Sequence, residues 1–280
     1  MKLNKVTIAI NTKKKETFLA QVSLLECFDK FDIKSAVVPI DFKKLKKFQK
    51  NLCKECRDSD LLIVIGGDGS ILAVTRPVVD TDIPVLGINT GKVGFLTEFN
   101  YRKIKGIIAD LVDDKFRISD RQLLEIEVVF KDRSERFYAL NDFILSRGVN
   151  VFKVINYDAK IDGSAAINFY GDGLIIATPT GSTAYNLSAG GPIMYPEGKG
   201  LMVTPICSHS LLIKPFIVSD TQEIVIKSRE FENTIMSVDG HLGSNTSEIK
   251  MIKLKASKKT IKLIVRQNYN FFKVLFSKLK

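Results

Sequence analysis

Residues 61–72 read LLIVIGGDGSIL. An apolar run ends in Gly66 and Gly67, followed by a carboxylate at Asp68, a third glycine at Gly69 and a hydroxyl at Ser70. Glycines let a backbone approach a ligand closely, and a helix N-terminus behind them favours an anion. Gly66, Gly67, Gly69 and Ser70 are therefore candidate phosphate contacts. Asp68 suits a different reactant: a positioned carboxylate can accept the proton of a hydroxyl as a P–O bond forms. The competing reading is a plain strand-to-helix turn with Asp68 in a left-handed conformation, and GGDG alone favours neither. The stretch is neither a P-loop, which needs Lys and Ser/Thr after its second glycine, nor G-x-G-x-x-G.

Three further stretches can do chemistry. INTGKVGFLTEF (88–99) ends a strand in Asn-Thr-Gly and carries Phe95; ligands bind at such strand ends, although taken alone Phe95 reads better as core. ALNDF (139–143) sets Asn141 and Asp142 inside an apolar run, where unpaired polar groups are costly. An amide–carboxylate pair can hold ribose hydroxyls or an adenine edge; a β-bulge or strand end is the alternative. GDGLIIATPTGSTAYNLSAGGPIM (171–194) reads as a strand, a turn, an N-cap at Ser182, one or two helical turns and a Gly-Gly-Pro stop. Thr178, Thr180, Ser182, Thr183 and Ser188 gather hydroxyls there, which suits a polyhydroxy, phosphorylated ligand. Asp172 lies in a second G-D-G and Asp239 in a third Asp-Gly; either fits an ordinary turn.

The elements that must position these residues have two grammars. Residues 1–98 alternate short, continuous apolar strands with helical spacing, which predicts a Rossmann-like, doubly wound parallel sheet. After a short helix, residues 99–266 carry many β-branched runs separated by Gly, Asn, Asp or Ser, which predicts a β-rich, sandwich-like domain. FYALNDFILSR reads as one strand, and EIKMIKLKAS and IKLIVRQ as two. The tail, 267–280, has helical periodicity and can return to the first domain.

With 280 residues, 45% hydrophobic and 26% charged, the chain reads as an ordinary globular protein of two cores. No apolar stretch approaches the ~18–20 residues of a membrane span. The first apolar run is too short for a signal-peptide core, so the expected location is the cytoplasm, with no membrane partner. Cys53 and Cys56 form one C-x-x-C with neither histidine near it in sequence, so they read as free thiols on a helix, and Cys27 and Cys207 as core. The net charge of +11 comes from scattered lysines without an arginine stripe, which argues for anionic small ligands over nucleic acid.

GGDGS, NTGKVGFL, LND, GDGLIIATPTGSTAYNLSAGGPI, TPICSHSL and the late Asp-Gly occur in the order found in the ATP/polyphosphate-dependent NAD kinase family, which the chain resembles over essentially its whole length. GGDG is shared with lipid kinases and phosphofructokinases; the long TPTGSTAY stretch is far more specific. The resemblance implies transfer of the γ-phosphoryl of ATP to the 2′-hydroxyl of the adenosine ribose of NAD, giving NADP. It implies Mg²⁺, and a homodimer or homotetramer with a site completed by a neighbouring subunit. It makes Asp68 the base, with Gly69 beside it, and Phe95 the aromatic near the adenine. Asn141 and Asp142 fall on the pair that holds the nicotinamide-side ribose, and Asp172 on a nicotinamide-side contact. Thr183, Ala184, Tyr185, Ser188 and His241 complete the dinucleotide pocket. The chain departs from the pattern at Asp142, where Glu is common, at Tyr170, where a basic residue is common, and at His241, where Gln is common; Ser208 and Lys214 stand for a common Pro and Arg. Three other readings make different predictions: a lipid kinase phosphorylates lipid, an NAD(P) sensor has no need of Asp68, and a nucleic-acid binder shows steep salt dependence.

Overall fold

The computed structural model describes residues 3–279 apart from 14, 92, 149, 150, 152, 165, 211 and 243–245. Lys92 and Leu211, which fall within the family-like motifs, thus lie outside the described residues. The chain forms two compact units, Met1–Asp120 with Thr260–Lys280, and Arg121–Lys259. This division falls later than residue 98, because the short helix and the strand before it belong to the first unit.

The first unit runs β1 (Lys5–Ile10), α1 (Lys15–Lys30), β2 (Lys34–Pro39), α2 (Leu45–Cys56), β3 (Leu61–Gly66), α3 (Asp68–Val78), β4 (Val85–Asn89), β5 (Phe99–Asn100), α4 (Ile104–Val112) and the start of β6 (Phe116–Phe130). β1 pairs in parallel with β2 and β3, and β4 with β3 and β5. β3 is buried along its whole length, as a parallel strand covered on both faces must be. Val6, Ile8, Leu61, Ile63 and Ile65 face Leu24, Phe28, Ile104 and Ile108 of α1 and α4 in one core. α2 buries Phe48, Leu52 and Cys56 at helical spacing. Cys53 and Cys56 are free thiols on that helix, and Cys27 is buried.

The second unit continues with β7 (Ser134–Ala139), β8 (Asp142–Arg147), β9 (Ile155–Ile161), β10 (Ile167–Gly171), β11 (Gly173–Ala177), α5 (Tyr185–Ser188), β12 (Leu201–Ile206), β13 (Phe216–Val218), β14 (Glu223–Lys227), β15 (Thr234–Val238) and β16 (His241–Leu242). β17 (Ile249–Arg266) begins in this unit and ends in the first, where Leu263 pairs with Val85 of β4. α6 (Phe271–Lys278) also belongs to the first unit. One antiparallel sheet has the order β13-β12-β11-β8-β15-β16; the other sets β10, β9, β14 and β17 side by side. Phe143, Leu145, Leu174 and Ile176 from the first and Tyr157, Ile224 and Ile252 from the second share one core, which makes the unit a sandwich.

Three local expectations are corrected. FYALNDFILSR is two strands broken at Leu140–Asn141, because the backbone amides there turn onto a carboxylate. The two runs after residue 249 are one 18-residue strand, whose polar middle is exposed. Cys207 is exposed, at a φ of +47°, where the chain leaves β12. Among the described residues no helix is long and apolar enough to cross a membrane.

Candidate active site

In the first unit the site is built where β1, β3 and β4 end. Gly66 closes β3 and Asp68 opens α3 as its first helical residue, so Asp68 is not left-handed. A side chain at Gly66 would collide with the Ser70 hydroxyl, whereas nothing lies within 4 Å of a Cβ built on Gly67 or Gly69. The first glycine is demanded by packing; the other two keep space open. That space is a cavity of about 250 Å³ lined by Asn11, Phe42, Thr90 and, from the turn, Gly66, Gly67, Gly69 and Ser70 but not Asp68. Ser70 is buried, and its hydroxyl has no hydrogen-bond partner among the described residues. A buried hydroxyl without a partner is costly, and an oxygen-rich ligand in the cavity would supply one. Asn11, Phe42 and Thr90 escaped the sequence reading because they follow three separate strands; Lys13 sits 5.2 Å over the Phe42 ring.

The Asp68 carboxylate is engaged. Its Oδ2 accepts the Phe95 N–H at 2.8 Å, and its Oδ1 accepts the Leu96 and Thr97 N–H groups at 3.1 Å and the Thr97 hydroxyl at 2.8 Å. Asn89 Nδ2 donates to the same hydroxyl oxygen at 2.8 Å, wiring the end of β4 to Asp68. Gly94 must be glycine, since a Cβ there would overlap Asp68 Oδ1. Asp68 thus pins the loop that carries Phe95, a function the GGDG spacing did not announce. Phe95 itself is half-buried, not core.

In the second unit a second carboxylate does similar work. Asp239 accepts the N–H groups of Leu140 at 2.8 Å, Asn141 at 2.7 Å and Asp142 at 3.2 Å. Its own φ is +51°, and Asp239 N–H donates to the Asp142 carbonyl at 3.0 Å. Burial pushes the Asp142 carboxyl up to about 7, with the Asp239 charge adding to it. Burial likewise raises Asp239, to about 6, against the lowering effect of its three amide donors and of His241. His241 is half-buried, with Nδ1 3.1 Å from the Asp239 carbonyl oxygen.

The hydroxyl cluster is rearranged relative to the sequence reading. Ser182 is not an N-cap: Thr180–Thr183 is a 3-10 turn, α5 is a single turn capped by no side chain, and the Ser182 hydroxyl donates to the Met194 carbonyl at 3.1 Å. Thr178 Oγ1 donates to the Leu140 carbonyl and accepts the Gly181 N–H, and a side chain at Gly181 would collide with the Asn141 backbone. The TPTG turn is thereby pressed against Asn141. Asn186, which the sequence did not single out, is the buried staple beneath it. It donates to the Ser182 and Pro192 carbonyls and accepts the Thr204 hydroxyl at 2.6 Å. Thr180 Oγ1 is buried without a partner among the described residues, while Tyr185 and Ser188 are exposed and Thr183 and Ala184 half-buried.

Asn141, Asp142, Thr178 to Gly181 and the Asp239–His241 turn therefore form one group. Asp172 does not join it. Ala177 lies opposite Asp142 across the β11–β8 pair, and Asp172 precedes the far end of β11, roughly 17 Å away at ~3.4 Å per residue. There the Arg147 Nε donates to Asp172 at 3.0 Å, and Tyr170 packs edge-on against His209.

Two family models match the chain: the ATP-NAD kinase N-terminal domain over residues 7–116 and the ATP-NAD kinase C-terminal domain over residues 140–266. An NAD kinase of Clostridium beijerinckii is 36% identical over 280 residues, covering 99% of this chain and 96% of its own. One of Syntrophotalea carbinolica is 40% identical over 224 residues, 79% of this chain and 78% of its own. Among solved structures, yeast NADH kinase complexed with NADH superposes with a TM-score of 0.88 at 26% identity, covering 99% of this chain and 87% of that one. An NAD kinase from Archaeoglobus fulgidus in complex with ATP shares the fold, with a TM-score of 0.75 at 22% identity and 98% of each chain covered.

Proposed function

The chain belongs to the ATP-NAD kinase family and phosphorylates NAD with ATP to give NADP, and we propose that Asp68 takes the proton of the adenosine-ribose 2′-hydroxyl as the γ-phosphoryl group reaches it. The observation that carries this reading is the uneven load on the carboxylate. Oδ1 accepts three hydrogen bonds and Oδ2 only one. A carboxylate offers about four acceptor sites, two on each oxygen, so Oδ2 retains one for a substrate hydroxyl. The four donors together fix the carboxylate in place, so Oδ2 is oriented before substrate arrives.

ATP phosphates occupy the cavity beside the Gly66–Ser70 turn, where the Ser70 hydroxyl gains its missing partner. No group of three His, Cys, Asp or Glu side chains among the described residues is arranged for a metal ion. A protein cage for Mg²⁺ does not fit these residues; Mg²⁺ carried in on the ATP phosphates does. Bound with ATP, Mg²⁺ would supply neutralisation of the phosphate charge. In the second unit the NAD ribose hydroxyls donate to Asp142, which the Asp239 turn holds beside the TPTG segment. The Thr180 hydroxyl, buried and unpartnered, faces the same need for an oxygen ligand as Ser70.

The separation of Asp172 from Asp142 supports self-association. A separation of roughly 17 Å is too long for both to reach one nicotinamide riboside, which fits Asp172 serving the dinucleotide bound by a neighbouring copy. The test mixes the purified chain with NAD, ATP and Mg²⁺ and detects NADP with an NADP-specific dehydrogenase. NADP forms with the unaltered chain and not with Asp68→Ala. An Asp68→Ala enzyme of near-normal turnover removes Asp68 from the chemistry.

A further inference from the structure

The C-terminal helix α6 grips the ring of Phe95. Phe271 lies with its ring centroid 6.2 Å from that of Phe95, at an interplanar angle of 45°. The Lys278 ammonium stands 5.2 Å from the centroid of the same ring. Positions 271 and 278 are seven residues apart, hence on one stripe of the helix, and both reach one target. The helix is itself fixed: Phe271 and Leu275 are buried, and Asn270 caps it by accepting the Lys273 N–H at 2.9 Å. The backbone of Phe95 is held separately, by Asp68. The ring is therefore set from three directions, two of which come from a tail that carries no motif.

We propose that Phe271 and Lys278 are positioning residues for the nucleotide, fixing the plane of Phe95 so that one face of its ring is presented to an adenine. The proposal rests on the reading of Phe95 as a contact of NAD. A cation over one face of an aromatic ring is attracted by the ring quadrupole and leaves the opposite face for stacking. Lys278 is exposed, so its removal costs the fold little, and its effect on binding is separable from stability.

The test is a kinetic double-mutant cycle on the full chain with Phe95→Leu, Lys278→Ala and the pair, plus Lys278→Arg. Lys278→Ala is expected to raise the KM for NAD roughly two- to fivefold, with kcat and Tm unchanged. Lys278→Arg restores the KM, because a guanidinium also stacks on an aromatic face. In the Phe95→Leu background Lys278→Ala has no further effect. If Phe95→Leu raises the KM and Lys278→Ala does not, the role of α6 is wrong while the reading of Phe95 survives. If Phe95→Leu leaves the KM unchanged, the reading of Phe95 falls and the proposal with it. Effects that simply multiply would mean that Lys278 acts independently of the ring, which overturns the positioning role.

Discussion

Asp68 and Asp239 solve the same local problem in different surroundings. Each sits before a glycine, each belongs to a different unit, and each accepts three consecutive backbone amides from a turn: residues 95–97 for Asp68, residues 140–142 for Asp239. Asp68 is half-buried, with a cavity beside its turn and one acceptor site unspent. Asp239 is buried, and its charge raises a second carboxylate, Asp142. The same clamp thus gives two chemistries. Half-buried, the clamping carboxylate keeps an acceptor site that a ligand can reach. Buried, it is spent on shaping the turn that carries a second acid, Asp142, itself only 4% exposed.

The sharpest way to break this comparison is to neutralise each clamp in turn. Asp68→Asn should lower kcat by roughly 10²–10⁴-fold, the usual contribution of a positioned base. Asp239→Ala should act on the fold first. It strips three amides, two of them buried, of their acceptor and is expected to cost about 3 kcal/mol in urea unfolding. Equal losses of kcat without loss of stability in both variants would mean that the two aspartates have the same job, and the contrast would fail.

The comparison also marks what was legible in the sequence. The Rossmann-like half was readable because LLIVIG and IPVLGIN are continuous apolar strands followed by glycine turns, a pattern set by burial on both faces. The GGDG and TPTGSTAY stretches announced themselves by composition. Asn89, Thr97, Gly94 and Asn186 did not, because their roles depend on partners fixed by the fold: Thr97 matters through Asp68, 29 residues away, and Asn186, on α5, through Thr204 on β12. Ser182 was misread for the opposite reason. A serine before a short polar run satisfies the capping pattern locally, but here its hydroxyl is drawn to Met194. The grip of α6 on Phe95 was invisible, since nothing in an apolar helical period names the ring it will meet.

A third prediction sharpens the buried half. With Asp142 raised to about 7, the carboxyl is largely protonated at pH 6 and largely ionised at pH 8. A ribose hydroxyl donates best to the ionised form, so the KM for NAD should rise about tenfold as pH falls from 8 to 6, and Asp142→Asn should flatten the profile. The stability has the opposite sign. A carboxyl whose folded value is raised above its ordinary ~3.9 favours the folded state while protonated, and this is lost as pH rises from ~4 through 7. Urea unfolding should therefore show a fall in stability over that window that Asp142→Asn reduces. A KM that stays flat while stability falls would separate Asp142 from the ligand.

The smallest effect should come from Thr97→Val, which trims the Asp68 clamp without breaking it. Thr97 is buried, and its hydroxyl is one of four donors to Asp68 and the acceptor for Asn89. Valine preserves the shape and removes the hydroxyl, so Oδ1 keeps two amide donors and Oδ2 is untouched. The expected cost is about 1–2 kcal/mol of stability, from one charge-assisted bond and one orphaned amide. Because the oxygen with the spare acceptor site is held by Phe95 and not by Thr97, kcat should change by less than about threefold. A Thr97→Val enzyme as slow as Asp68→Asn would show that Oδ1, not Oδ2, faces the substrate. It would also show that the hydroxyl sets the geometry the backbone amides were thought to set.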